Sequence, residues 1–498
     1  MIKRIAQAWG FAAILLLPSY VDLTSSMGDE LMHVPWPLTR VALAQLTDLM
    51  IVALAFAGLL GMLRKLKAWT WIRWVLFAFL PAFLLLRNLS LSPLRVPNAA
   101  VCAAIAAWIA VIVFLVVRVP TAASKLYSFG SAVLIGCAVF AAVISWQLVR
   151  AALWRPAPQA FAHPIPEQPP NKPRLVWILF DELAYQPTFE SRDPSLSLPN
   201  FDRLRNVSAL YTGVTPIAYK TVLVVPSMQL GRTVTGSVYT ADNRFLVRTA
   251  DAPHWRPFAV NASLFGMASQ HGVTTAIVGW YLAYCPIFAG VANQCYWSND
   301  DTEDGAPPSH DASFAEDVWT PLRILAEQFF APRMAWADIG RWASEGHIAT
   351  EQDISQHALA TLSTSQADLI YLHLPTPHPP AFWNRRTHTF AVGGSYLDSL
   401  DYSDRLLGQM LDILQAQPRW SATTVIVQGD HSWRTHSWRP VPGWSAEDER
   451  ASHGGEWDPR PLLLIHLAGQ QKRETVAAPT NLMLVHDVVA AQIQAIAR

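Results

Sequence analysis

Five apolar stretches in the first 155 residues constrain this chain more than any other feature of it. They run near Ile5–Val21, Val41–Leu63, Trp69–Leu86, Ala99–Val117 and Phe129–Leu148. Each is close to the ~20 residues that a helix needs to cross the hydrocarbon of a bilayer. Backbone groups in hydrocarbon must be bonded within their own segment, so stretches of this kind can only be helices. The chain is 52% apolar and 15% charged over 498 residues, and the apolar excess sits almost wholly in this region. The remainder of the chain has an ordinary globular composition and, at roughly 330 residues, is long enough for one substantial core.

The first stretch has no small-residue cleavage site before Asp22, and four more stretches come after it. It therefore reads as a retained helix and not as a signal peptide. Lys3, Arg4, Arg64, Lys65, Lys67, Arg118 and Lys125 fall on one side of the resulting topology. Arg40, Arg87 and Arg95 fall on the other, with Asp22, Asp29 and Glu30 beside the first of them. The excess of positive charge places the N-terminus in the cytoplasm, so five crossings put everything after Arg150 outside. Asp48 and Arg73 lie in or near spans and are candidates for a role there, although Arg73 is close enough to a helix end to snorkel. Residues 157–173, APQAFAHPIPEQPPNKP, form a proline-rich, semi-rigid connection. The expected organisation is a five-helix bundle over 1–150, a linker over 151–173 and a catalytic or binding domain over 174–498.

That domain opens with Leu175–Leu183, LVWILFDEL. Six apolar residues after Pro173 read as a strand buried on both faces. They run straight into Asp181 and Glu182, and ligands of open α/β sheets bind at the carboxyl ends of strands. The pattern recurs. The strand Leu369–Leu374 carries His373 and leads to His378, Pro379 and Pro380; the strand Thr423–Val427 runs into Gly429, Asp430 and His431. His453 precedes a further apolar strand. Between these lie helices: PNFDRLR with Asn200 at the cap and Leu204 on the apolar face, SLFGMASQHG before the strand TTAIVGW, the amphipathic Tyr396–Gln415, and a tail over 481–497. Residues 285–308 read as a long loop, and 312–363 as several helices. Alternating strands and helices with polar residues at strand ends give an α/β fold with a mostly parallel central sheet.

Thr221 stands before an apolar run ending in Pro226–Ser227. At the start of a helix, backbone N–H groups and the dipole would favour an oxyanion beside it. A capping threonine with no chemistry is the plain alternative. Carboxylates with an imidazole suit zinc, and carboxylates alone suit calcium, magnesium or manganese. A cation beside a hydroxyl lowers its pKa and makes it a nucleophile. Of the four cysteines, Cys102 and Cys137 lie in apolar stretches; Cys285 and Cys295 are close in sequence and could either pair or stay free. Zero net charge and the lack of a basic run exclude nucleic acid as a partner.

In this order the motifs resemble the alkaline phosphatase superfamily in its sulfatase-like branch. They are most similar to membrane-anchored phosphoethanolamine transferases, lipoteichoic acid synthases and a group of bacterial sulfatase-like membrane proteins. Val225-Pro226-Ser227-Met228 is similar to the Val-Pro-Cys-Met of the transferases, with the nucleophilic threonine five residues before the proline, as Thr221 is here. The resemblance implies a metal held by Glu182 as direct ligand, with Asp181 as helper, and by Thr221, Asp430 and His431. One or two divalent ions are implied, zinc ahead of manganese, magnesium or calcium. It implies His378 and His453 as catalytic groups, with His373, Lys220, His378 and His453 toward the substrate, and a Cys285–Cys295 disulfide. It further implies a monomer in the bacterial inner membrane, its catalytic domain on the periplasmic side, acting on a membrane lipid or lipid-linked glycan. The position that true sulfatases convert to formylglycine is Val224, and Met228 stands where their arginine belongs. An aldehyde cannot be made from valine. The leading expectation is thus transfer of a phosphoester headgroup through a threonine-linked intermediate. Hydrolysis of a sulfuric ester or phosphodiester, and a non-catalytic membrane protein on the same fold, are the other two.

Overall fold

The computed structural model describes residues 2–24, 38–90, 98–153, 164–239, 244–298, 313–330, 335–441 and 443–498. The described chain forms two compact units. Asp22, Asp29, Glu30 and Arg95, used above for orientation, lie outside what can be described of side chains.

The first unit is built on helices α1 (Ile2–Thr24), α2 (Leu38–Leu63), α3 (Trp69–Ser90), α4 (Asn98–Arg118) and α5 (Pro120–Leu153). Among the described residues, four spans are long and apolar enough to cross a membrane: Thr39–Leu63, Trp69–Leu86, Ala99–Arg118 and Pro120–Arg150. The expected count of five is thus approximate, and α1 is the fifth helix of the bundle. Small residues let α1 come close to α2 and α5: Ala8, Ala12, Ala42, Ala53 and Ala141 are buried at their seam. At Gly10 a Cβ would sit 1.9 Å from the Leu134 carbonyl oxygen, so only glycine permits this approach. Asp48 is buried in α2, and neither of its carboxylate oxygens finds a partner among the described residues. The Arg73 guanidinium lies over the rings of Trp74 and Tyr127.

The helix Phe314–Phe330 belongs to this unit, although its sequence lies far downstream. It packs on α2 and α1, and its Asp317 accepts a 2.6 Å hydrogen bond from Arg40 Nε. Within the stretch expected as one domain, the described helix Phe314–Phe330 is thus grouped with the bundle.

The second unit is organised by an eight-stranded sheet. From one edge its strands are Glu474–Val476, Ala209–Tyr211, Leu463–His466, Thr423–Gly429, Arg174–Phe180, Leu369–Leu374, Thr275–Trp280 and Gln294–Ser298. Leu463–His466 runs antiparallel to both neighbours, and every other pair is parallel. The central strands match their expected positions because they are buried on both faces and so read as unbroken apolar runs. Leu175, Trp177 and Leu179 face one core, with the helices Thr221–Leu230, Leu264–Gln270 and Leu484–Ile496. Val176, Ile178 and Phe180 face the other, with Pro199–Arg205 and Tyr396–Gln415.

Two local expectations change, and one small sheet goes beyond them. Asn200 is not a cap: Leu198 holds that position, and the Asp404 carboxylate, on another helix, accepts from the N–H groups of Asn200 and Phe201. The loop expected from Cys285 contains a helix, Tyr284–Phe288, and the edge strand Gln294–Ser298. These two elements are joined by a Cys285–Cys295 disulfide. A small antiparallel sheet of Val234–Tyr239, Phe245–Thr249 and Ala252–Pro257 had no clear sequence signal, since its last strand is exposed along most of its length.

Candidate active site

Register brings the motifs together. Phe180 pairs with Gly429 on one side and with Leu374 on the other. Asp181, Asp430 and the loop after Leu374 therefore leave the sheet at one level, at the carboxyl ends of adjacent parallel strands. Asp181, Asp430 and His431 offer ligand atoms that all lie within 4.8 Å of one another, and all three residues are buried.

Thr221 completes this group. It is the first residue of the helix Thr221–Leu230; Lys220 is the cap, in extended conformation, and makes no capping hydrogen bond. The hydroxyl of Thr221 is thus free of helix capping. It donates to Asp430 Oδ2 at 2.7 Å and lies 3.2 Å from Asp181 Oδ2.

The set fits a divalent cation on its own chemistry. His431 Nδ1 lies 3.1 Å from the Ser432 carbonyl oxygen, which can only accept, so Nδ1 carries the hydrogen and Nε2 presents a lone pair. That lone pair faces Asp430 Oδ2 at 3.2 Å and Asp181 Oδ1 at 3.8 Å. Neither His431 Nε2 nor Asp181 Oδ1 has a hydrogen-bond partner among the described residues. Buried acceptors that converge without a donor call for a cation among them. Asp181 reports the same strain: burial, then Asp430 and Glu182, hold its pKa well above the usual carboxylate range.

Glu182, expected to be the direct ligand, is turned elsewhere, and the order of the two acids is reversed. The strand ends at Phe180, so Asp181 and Glu182 sit in the turn after it, and the turn's backbone sets where each points. Glu182 also takes a left-handed backbone, φ 58°. That conformation is held by its N–H donating to Asp430 Oδ1 at 3.1 Å and by its carbonyl accepting from Tyr396 Oη at 2.7 Å. Its carboxylate is gripped by Arg434 through Nε and the backbone N–H, and by Trp438 Nε1 at 3.0 Å to each oxygen.

The histidines divide. His373 is fully buried, with Nδ1 2.7 Å from Tyr284 Oη and Nε2 3.7 Å from Asp181 Oδ2. Burial lowers its pKa to about 4, so its ring is neutral. His378 stands on the Glu182 side: its Nε2 accepts from Arg434 Nη2 at 3.1 Å and lies 3.9 Å from Glu182 Oε1. Burial, then Arg434, push its pKa well below the ordinary value. His453 is exposed in a left-handed turn, and no hydrogen bond or ion pair among the described residues ties it to the cluster. Lys220 is likewise exposed.

Sequence reasoning missed Arg434, Trp438, Tyr284 and Tyr396. For Arg434 a signal existed in charge alone: three strand-end acids had no cationic side chain assigned to them. It stands three residues after His431. Burial disfavours its charge, but Glu182, Asp181 and Asp430 outweigh that, and the guanidinium is held more firmly protonated than usual.

The family described as Sulfatase matches residues 173–490. Among solved structures, the chain is similar to the PsFucS1 sulfatase from Pseudoalteromonas sp., at 12% identity and a TM-score of 0.43, covering 65% of this chain and 68% of that one. A protein in the alkaline phosphatase superfamily from Vibrio parahaemolyticus is 14% identical at a TM-score of 0.37, with 68% and 71% covered. The phosphonate monoester hydrolase of Agrobacterium radiobacter is 11% identical at 0.37, with 65% and 74% covered. No curated protein matches the chain.

Proposed function

The chain belongs to the sulfatase family of the alkaline phosphatase superfamily, and from that premise we propose that it transfers a phosphoester headgroup through Thr221. The headgroup is of the phosphoethanolamine or phosphoglycerol type, and the donor is a membrane lipid. The observation that carries this reading is the Thr221 hydroxyl, buried at a helix start and hydrogen-bonded to Asp430 beside the cluster of Asp181, Asp430 and His431. Val224 and Met228 support phosphoryl over sulfuryl chemistry, because both are fully buried in the apolar core and neither supplies a polar group.

The residues that would hold the ion are Asp181, Asp430, His431 and the Thr221 hydroxyl, a mixed oxygen and nitrogen set that suits zinc ahead of manganese, magnesium or calcium. When bound, a divalent ion lowers the pKa of the threonine hydroxyl and screens charge growing on the transferred group. Thr221 Oγ1 attacks phosphorus, and its proton passes to Asp430 Oδ2, the acceptor already in place. As the Oγ1–P bond forms, the bond from phosphorus to the lipid glyceryl oxygen breaks, and that oxygen leaves as an alcohol after taking a proton from solvent. The hydroxyl of an acceptor, a lipid or lipid-linked glycan, then attacks the same phosphorus and gives its proton to solvent; the Oγ1–P bond breaks, and Thr221 Oγ1 takes back the proton held on Asp430 Oδ2. The apolar helices tether this chemistry to its substrate, in the inner membrane of a bacterium with the catalytic unit outside the cytoplasm, and the chain acts as a monomer.

Thr221→Ala should abolish turnover while divalent metal remains bound. Mass spectrometry of the wild-type protein given a lipid donor should find the headgroup mass on the peptide that contains Thr221. Full activity in the alanine variant would refute the assignment of the nucleophile.

A further inference from the structure

A groove of about 770 Å³ runs among α1, α2, α3 and α5, and the chemistry above makes no use of it. Its size is that of a ligand site, for which about 300–1,000 Å³ is usual. The lining follows α2 from Ile51 to Leu60, about 14 Å at the rise of a helix. One leaflet of a bilayer holds about 15 Å of hydrocarbon. The helix Phe314–Phe330 walls the deep end. Its Asp317 is held by Arg40 at the start of α2, and further along it Leu325 packs with Leu46 and Val52. Val52 stands midway along the span Thr39–Leu63, so Leu322, Leu325 and Ala326 meet the groove near the middle of the bilayer.

The other end is cationic and aromatic. Arg64, just past α2, and Arg73, near the start of α3, both line the groove. The Arg64 guanidinium lies 5.4 Å from the Trp69 ring centroid, and that of Arg73 lies 5.4 Å from Trp74 and 5.6 Å from Tyr127. Tryptophan and tyrosine collect at the level of lipid headgroups. Arg73 Nε is buried and has no hydrogen-bond partner among the described residues. No acidic residue lines the groove to neutralise the two charges. A guanidinium does not shed its proton, so two of them at the edge of hydrocarbon call for an anion. A second groove, of about 490 Å³ between α3 and α4, is lined without a charged side chain, so the arginines are particular to the first.

We propose that the first groove binds one anionic phospholipid: an acyl chain lies along α2 as far as the helix Phe314–Phe330, and the phosphate sits between Arg64 and Arg73. Arg64, Lys65 and Lys67 make this the cytoplasmic end by the charge rule, so the lipid belongs to the inner leaflet. Each planar guanidinium can bond two phosphate oxygens at once. The lipid is a resident ligand of the bundle and is not consumed. Headgroup transfer uses residues of the second unit, so the two readings stand or fall separately.

The full-length protein in detergent, stripped of lipid, would be titrated with phosphatidylglycerol or phosphatidylcholine and read by native mass spectrometry. Wild type should retain one phosphatidylglycerol per chain and bind phosphatidylcholine about 10- to 100-fold more weakly, because the choline cation opposes the arginines. Arg64→Gln with Arg73→Gln should bring phosphatidylglycerol down to the phosphatidylcholine level. Arg64→Lys with Arg73→Lys, which keeps the charges without the forks, should fall between. Ala55 is exposed on the groove wall, so Ala55→Trp fills the groove and should remove both lipids. Ile109→Trp, at an exposed position in the second groove, should change neither. Equal retention of the two lipids by wild type, no retained lipid, or several lipids held with equal affinity would overturn the proposal. So would unchanged phosphatidylglycerol affinity in the double glutamine variant or in Ala55→Trp. Thr221→Ala should keep the lipid whether or not it keeps activity.

Discussion

The reversal of Asp181 and Glu182 makes a prediction with opposite signs at adjacent residues. Asp181→Asn and Glu182→Gln each remove one negative charge from a buried carboxylate at the end of the same strand. Glu182→Gln breaks a buried ion pair, which costs about 3–5 kcal/mol. Arg434 keeps some access to water, so the lower end of that range applies. A unit of roughly 330 residues has an unfolding entropy near 0.7 kcal/mol/K, so about 3 kcal/mol lowers its melting midpoint by about 4 °C. That drop should be the same with chelator or with zinc, because Glu182 holds no ion.

Asp181→Asn should do the reverse. In chelator it relieves the repulsion among Asp181, Asp430 and Glu182, so the midpoint should hold or rise. Its cost should show only with metal. An ion at about 1,000 times its Kd stabilises by about 4 kcal/mol; weakening the affinity by about 100-fold leaves about 1.4. The metal-induced rise should therefore shrink from about 6 °C to about 2 °C. Thermal unfolding followed by tryptophan fluorescence, in chelator and in zinc, reads both effects. If Glu182→Gln lost the metal-induced rise while Asp181→Asn kept it, the assignment of Asp181 as ligand and Glu182 as the partner of Arg434 would be wrong.

Two further predictions test the surrounding fold. Glu351 is fully buried, and burial pushes its pKa up to about 8 from 4.5. A raised carboxyl pKa gives stability that is full below pH 4.5 and declines as pH rises toward 8, so at pH 7 the folded chain is about 3 kcal/mol worse off than at pH 4.5. Glu351→Gln should raise the midpoint at pH 7 by about 4 °C and make no difference at pH 4.5, in melts compared across that range. His347 and His373, each lowered to about 4, make the folded state lose stability as pH falls below 6.5, but they act on both proteins and cancel in the comparison. The Cys285–Cys295 disulfide closes a loop of sequence separation 10, so replacing both cysteines with serine should cost about 2–3 kcal/mol. A reductant should lower the wild-type midpoint by the same few degrees and leave the double serine variant unchanged.

Much of the fold was legible because its strongest elements are internally consistent. Leu369–Leu374 and Tyr396–Gln415 were read with the boundaries that the structure has. The first is a continuous apolar run, and the second carries leucines at helical spacing and a capping box from Ser395 and Asp398. The short edge strand Gln294–Ser298 and the exposed strand Ala252–Pro257 carry no such periodicity, since their partners and not their own side chains make them strands.

At the site, the sequence alone determined the ingredients. A strand that ends in Asp181, another that ends before Asp430 and His431, and Thr221 opening a helix all come from apolar runs broken by polar residues at their ends. Parallel register then had to bring them level, and in this sheet it does. What the sequence could not decide was aim. Asp181 and Glu182 are equivalent on paper, and only the left-handed turn at Glu182, with the partners that hold it, sends one to the cation cluster and the other to Arg434. Nor could it separate His378, held beside Glu182, from His453, left exposed. Direction belongs to the backbone conformation and to the partners that the rest of the chain folds into place, and those partners lie as far as 256 residues apart along it.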